Sequence, residues 1–170
     1  MVKVGNSRFI IRDIHPWEGP GVFALTGDHN VMRYMGFPVH KSVDDATALI
    51  QLYQQNKARY QAVCQEDSPP DILGIVGLEV QGHQAAVTIM FRRDRKARGA
   101  GREFSEPFVQ WIMSHPHIWR TWAYCHVDNV PVQRVLERMG AQCEGRLRRF
   151  AHFPNVSTEP QDAYTYSIVR

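Results

Sequence analysis

The stretch Arg92-Arg93-Asp94-Arg95-Lys96-Ala97-Arg98-Gly99-Ala100-Gly101-Arg102 joins two patterns of different period. Before it, Ala85 to Phe91 reads as a strand; after it, Phe104, Phe108, Trp111 and Ile112 recur at helical spacing until His115-Pro116 stops them. Glycines at the junction let the backbone turn tightly and come close to a ligand. The helix start beyond them offers unpaired amides and the positive end of its dipole, which favour phosphate. Six basic side chains against one acid make this stretch a local anion site suited to a diphosphate. Two glycines one residue apart also occur at strand-to-helix turns for steric reasons alone, and that reading stands beside the first. A dinucleotide-binding fingerprint lacks its third glycine, and a P-loop lacks Gly-Lys-Ser/Thr.

Outward from the junction, the chain alternates strand and helix signals without repeat or linker. Arg8 to Ile14 reads as a strand, closed by His15-Pro16 and the Gly19-Pro20-Gly21 break; Val22 to Leu25 opens a short helix. Val43, Ala46, Leu49, Ile50 and Tyr53 give an amphipathic helix through about Lys57, with Ser42 and Asp45 as a capping box. Strands follow at Tyr60 to Gln65, Ile72 to Gln81 and Ala85 to Phe91, an antiparallel meander. Trp119 to Val127 is β-rich. Asn129-Val130-Pro131 then starts a helix that should bury Val132, Val135, Leu136 and Met139 and end at Gly140. Ala141 to His152 and Ala163 to Val169 form a terminal hairpin. The expectation is one α+β domain over residues 1–170.

Composition bounds the function. With 170 residues, 44% of them hydrophobic and 22% charged, the chain supports its own core and is not disordered. A formal charge of +3 is too mild to indicate a nucleic-acid partner. No apolar run approaches the ~20 residues of a bilayer span, and Met1 to Asp13 does not read as a signal peptide, so no membrane partner and a cytoplasmic location are expected. Cys64, Cys125 and Cys143 lack metal-ligand spacing and are expected as reduced thiols; no metal is implied.

The glycine turn is followed about thirty residues later by Thr121-Trp122-Ala123-Tyr124-Cys125-His126-Val127-Asp128-Asn129-Val130-Pro131-Val132, running on through Arg134-Val135-Leu136-Glu137-Arg138-Met139-Gly140. This combination, with the opening Arg-Phe-Ile-Ile-Arg strand, Ile75-Val76-Gly77 and a hairpin bearing Asp162 and Tyr166, resembles the GNAT superfamily of acetyl-CoA-dependent N-acetyltransferases. Within it, the resemblance is to the branch of the ribosomal-protein N-acetyltransferases. It implies a mixed, mostly antiparallel sheet of six to seven strands, splayed in the middle and flanked by about four helices. By the same resemblance, Phe91, Arg93, Arg98, Gly99, Ala100, Gly101 and Arg102 would hold acetyl-CoA, with Asn129 opposite. The acceptor partner would be a primary amine, on a protein N-terminus or a small molecule, and the protein could pair as a homodimer. Relatives often carry a serine where Val132 stands, a glutamate where Thr88 stands and a small residue where Glu103 stands. Pro107 falls inside the helix after the turn, which should kink it or restart it at Ser105.

Acetyl transfer from a thioester to an amine needs a neutral amine, stabilisation of the developing oxyanion and a proton for the thiolate; positioning supplies much of the rate. No covalent nucleophile is required, and Cys125 reads as a buried strand thiol. Strand alternation puts Trp122, Tyr124 and His126 on one face and Thr121, Ala123, Cys125 and Val127 on the other. Tyr124 or His126 could therefore handle a proton, and Glu79 could serve as general base. Against these stand a structural histidine and a solvated edge carboxylate. Tyr166 reads as core packing, and Trp17, Phe23, Tyr34, Met35 and Phe37 as core or as an aromatic lid on the acceptor. A non-catalytic acyl-CoA-binding module, and a nucleic-acid-binding stripe over Arg92 to Arg102, remain the alternatives.

Overall fold

Alternation along the strands sorts the apolar side chains onto two faces. Phe9 and Ile11 of β2 (Phe9–Asp13), Val63 of β3 (Arg59–Gln65), Val76 of β4 (Gly74–Gln81) and Ala85 of β5 (Gln84–Phe91) pack on one side. Ile10, Ala62, Cys64, Ile75 and Met90, from the same strands, pack on the other. The first face is covered by α4 (Ala100–Met113), through Phe104, Phe108 and Ile112. The second is covered by α1 (Gly19–Thr26) and α3 (Val43–Gln55), through Val22, Leu25, Ala46 and Ile50. The computed structural model describes residues 1–55, 59–94 and 99–170.

The remaining elements are β1 (Val2–Lys3), a 3-10 turn at Pro16–Glu18, α2 (His29–Met32), β6 (Arg120–His126), α5 (Val130–Arg138), β7 (Gln142–Ala151) and β8 (Gln161–Val169). They form one eight-stranded sheet, ordered β1-β2-β3-β4-β5-β6-β8-β7. Every pairing is antiparallel except β5 with β6. The expected mixed, mostly antiparallel α+β sheet is therefore present. It gains a strand because β1 adds two residues at one edge. A fifth helix comes from α2, whose N-cap Asp28 accepts the amides of Asn30 at 2.8 Å and Val31 at 3.4 Å.

Three local expectations change. Gly19-Pro20-Gly21 is the first turn of α1 rather than a break, because a proline fits at the start of a helix where its missing N–H costs nothing. The helix after the glycine turn is continuous from Ala100 to Met113 with Pro107 inside it, so it neither stops nor restarts at Ser105. Packing of Phe104, Phe108 and Ile112 into the core outweighs the one lost backbone hydrogen bond. In α5 no residue is fully buried, although its apolar stripe is as expected. Val132 is 39% exposed because the stripe faces an opening in the sheet.

Candidate active site

That opening lies between β5 and β6. They pair over only three positions, Gln84 with Arg120, Ala85 with Thr121 and Ala86 with Trp122. Beyond that point Val87 to Phe91 and Ala123 to His126 diverge, while β4 stays with β5 as far as Phe91 and β8 stays with β6 as far as His126. Each strand thus keeps its outer ladder and leaves main-chain groups on the gap side without a strand partner, which a ligand with amide groups can satisfy. A cavity of about 830 Å³ occupies the gap. Its walls come from both faces of the sheet.

On the α4 side, Val87, Ile89 and Phe91 of β5, Ala123 and Cys125 of β6, and Val132, Val135 and Leu136 of α5 form the wall. Thr121 fixes which face this is, since its hydroxyl meets Met113 Sδ of α4 at 3.1 Å. Gly99 caps α4 at φ +79°, a left-handed conformation that glycine adopts without strain, and no side chain caps the helix. The amides of Arg102 and Glu103 both bond Gly99 O at 3.1 Å, so those of Ala100 and Gly101, just before them in the same first turn, have no acceptor within the helix. Gly101 lies against Phe91, where a Cβ would come within 3.2 Å of the ring. Gly101, Arg102 and Arg93 line the cavity, and Arg93 and Arg102 are exposed cations at its rim. Glu103 Oε2 pairs with Arg8 at 2.8 Å, while its Oε1 stays at the corner, 3.6 Å from where a Cβ on Gly99 would lie. Arg98, with Arg95 and Lys96, lies outside the described residues.

Opposite, Asn129 caps α5 through its carbonyl, which accepts the amides of Val132 and Gln133 at 3.1 Å each. Its carboxamide makes no capping bond, and the residue lines the cavity. Gln133 Nε2 donates to Val127 O at 2.7 Å and ties α5 to the end of β6. Of the expected cradle, Phe91, Arg93, Gly101, Arg102 and Asn129 share the cavity wall. Gly99 and Ala100 stand behind it: the side chain of Ala100 is in the core, and only its backbone faces the turn.

On the other face the wall is aromatic: Tyr34 and Phe37 after α2, Tyr60 of β3, Trp122 and Tyr124 of β6, and Phe153. Tyr124 is 43% exposed and lines this wall. His126 is not on it. Its ring is 2% exposed, stacked on Tyr34 at 4.9 Å and edge-on to Phe153 at 5.0 Å, and its Nδ1 accepts the amide of Asp128 at 3.0 Å. Those contacts leave His126 in the support of the wall. Glu79 is also off the wall; it is exposed on β4 opposite Ala86, and Gln81 Nε2 donates to it at 2.7 Å.

The alternation of β6 therefore serves both sides of one passage instead of assigning one face to the site. Tyr60 is a wall residue that periodicity did not single out; its ring stacks on Tyr53 at 3.9 Å. Burial, then Tyr124 and Glu79, push its phenol pKa up. Tyr166 packs with Cys125 as expected, yet it also reaches the cavity, and its hydroxyl donates to Glu137 at 3.3 Å. Trp17 is 75% exposed against His15, and Phe23 packs under α3, so neither joins the passage. Among the described residues no group of three or more His, Cys, Asp or Glu could hold a metal. None of their helices is long and apolar enough to cross a membrane.

The sheet is parted at a parallel pair, with a glycine-capped helix beside one strand and an asparagine-started helix beside the other, and residues 8–142 match an acetyltransferase (GNAT) domain model. The chain belongs to the GNAT acetyltransferase family. An uncharacterized N-acetyltransferase, YoaA of Bacillus subtilis (strain 168), is 27% identical to this GNAT chain over 172 aligned residues, covering 97% of it and 95% of the relative. A GNAT-family acetyltransferase from Bacillus anthracis superposes with a TM-score of 0.80 at 21% identity, covering 96% of this chain and 95% of that one. RimL, a ribosomal α-N-protein acetyltransferase solved in complex with coenzyme A, superposes with a TM-score of 0.75 at 14% identity, covering 99% and 97%. The residues present fit a coenzyme A diphosphate on physical grounds: a helix start with no side-chain cap, two exposed cationic side chains and a glycine edge meet at one end of the gap.

Proposed function

We propose that this GNAT chain moves the acetyl group of acetyl-CoA directly to a primary amine, on a peptide N-terminus or a small molecule, with both reactants bound at once. The observation that carries this reading is the passage through the sheet, with open strand edges and aliphatic side chains on the α4 side and an aromatic wall on the α2 side. Two reactants entering from opposite faces meet in the gap, and such positioning can supply several kcal/mol of the barrier.

Acetyl-CoA supplies the activated thioester. In this reading the amides of Ala100 and Gly101, next to Gly99, bind its diphosphate, Arg93, Arg102 and Arg98 neutralise the charge, and Phe91 walls the arm. Asn129, whose carboxamide is not spent on capping, bonds the arm from α5. The amine arrives as an ammonium and must lose a proton. That proton passes through water to solvent; as the amine then attacks and the C–S bond breaks, the Tyr124 hydroxyl is the group we assign to donate a proton to the departing thiolate, regaining one through water from the attacking nitrogen. Glu79 stands behind Tyr124 on the same face of the sheet as a remote carboxylate, and His126 backs Tyr34 through ring stacking. The thiol of Cys125 is held protonated, because burial and then Cys143 push its pKa up to about 11. That suits direct transfer and not an acyl-enzyme.

The test is a panel of amines with acetyl-CoA, reading free thiol as product, together with calorimetry of coenzyme A. Release that depends on the amine, with intersecting initial-rate lines, is the expected result. Tight coenzyme A binding with no turnover on any amine would instead favour a non-catalytic module. Absence of binding would end the reading.

A further inference from the structure

We infer that the acceptor is a primary amine carried on a flat, apolar body with no second positive charge, an arylalkylamine in chemical class. This rests on the acetyl-transfer reading and narrows its acceptor. The α2-side wall is contributed by Tyr34, Met35, Phe37, Tyr60, Tyr124 and Phe153. Its rings are backed mostly by rings outside the wall. Tyr34 is stacked on His126, carries the Arg33 guanidinium 5.3 Å from its centroid, and donates its hydroxyl to Asp128 O at 3.4 Å. Tyr124 is met edge-on by Phe150 at 5.1 Å and by Phe153 at 6.4 Å. Tyr60 is backed by Tyr53. A wall of rings packed against a second layer of rings is a preformed slot for a planar body, which buries apolar area there without reordering side chains.

The charges on this wall argue against the other acceptor classes. Asp128 is the only carboxylate among the wall residues described, and its side chain is 76% exposed, so it stays at the solvent rim. Arg33 lines the same mouth and forms no ion pair among the described residues. A polyamine must place each additional ammonium somewhere, and a slot of rings with one rim carboxylate offset by one guanidinium gives it no buried partner. An acidic peptide would find on this wall one cation, Arg33, against a mostly apolar surface. The amine itself needs only the Tyr124 hydroxyl at the gap.

The experiment compares kcat/KM for tryptamine and phenethylamine with spermidine and with a peptide bearing an acidic N-terminal sequence, all at saturating acetyl-CoA. The arylalkylamines should lead spermidine by about 100-fold. Phe37→Ala should raise KM for tryptamine about tenfold and leave the affinity for coenzyme A unchanged. Arg33→Glu, a surface change outside the transfer machinery, should narrow the gap to spermidine about tenfold by removing a repulsive charge and adding an attractive one. A preference for spermidine or the acidic peptide, or bound acetyl-CoA with no acetylation of either arylalkylamine, overturns the inference. Failure to bind acetyl-CoA at all would instead strike the reading beneath it.

Discussion

The two sides of the gap between β5 and β6 are made of different material. The α4 side joins main chain to aliphatic side chains: strand edges left open where the ladder ends at Ala86 and Trp122, Val87, Ile89, Val132 and Val135 along the wall, and the start of a glycine-capped helix at one end. The α2 side is aromatic: rings from residues 34, 37, 60, 124 and 153, brought together only by the fold. Open main-chain edges suit a reactant that is always the same. A wall of rings can be exchanged without disturbing them, which is how one scaffold serves many acceptors.

The largest effect should come from attacking the α4 wall. Gly101→Glu places a Cβ against Phe91, where the space is 3.2 Å, and a carboxylate beside the uncapped helix start. Losing the anion site and adding repulsion amounts to about 3 kcal/mol, or roughly 100-fold weaker coenzyme A binding by calorimetry. Affinity unchanged within twofold would move the diphosphate elsewhere. The next effect belongs to the aromatic wall: Tyr124→Phe should lower kcat roughly 100-fold with the affinity for coenzyme A intact. A parallel loss of both would erase the division between the walls. Arg93→Ala comes third. As an exposed cation at the rim it should cost about 1 kcal/mol, near fivefold in coenzyme A affinity, and the difference should shrink in high salt.

The same division governs what could be read from the residues alone. The order of elements, the glycine corner and Asn129 were legible because each demands a residue type at a fixed spacing: a φ of +79° at Gly99, a helix start, a close approach at Gly101. The parting of the sheet was reachable only by resemblance, since alternation in Ala85 to Phe91 and in Trp119 to Val127 does not say which edges pair. For the same reason Val132, Val135, Leu136 and Met139 were expected in the core, though they face the opening. An apolar stripe looks identical whether it meets protein or ligand. Tyr60 and Phe153 gave no local signal, because their place on the wall depends on contacts across dozens of residues. His126 carries a strong chemical signal, and its ring is buried behind Tyr34 with its Nδ1 on the amide of Asp128.

The smallest effect is the one that tests whether the α4 wall only binds. Cys125 lines that wall, 4% exposed and within the cluster of Tyr166 and Leu136. If it formed an acyl-enzyme, its thiolate would have to be available at neutral pH. With burial pushing the thiol up to about 11, the thiolate fraction at pH 7 is on the order of 1 in 10,000. No described cation pairs with it to offset that. Cys125→Ala should therefore change kcat by less than about twofold, lower Tm by only a few degrees for the lost buried sulfur, and keep intersecting initial-rate lines. Parallel lines in the wild type together with a collapse in the variant would instead put a nucleophile on the wall. The two sides would then no longer divide into one that holds and one that selects.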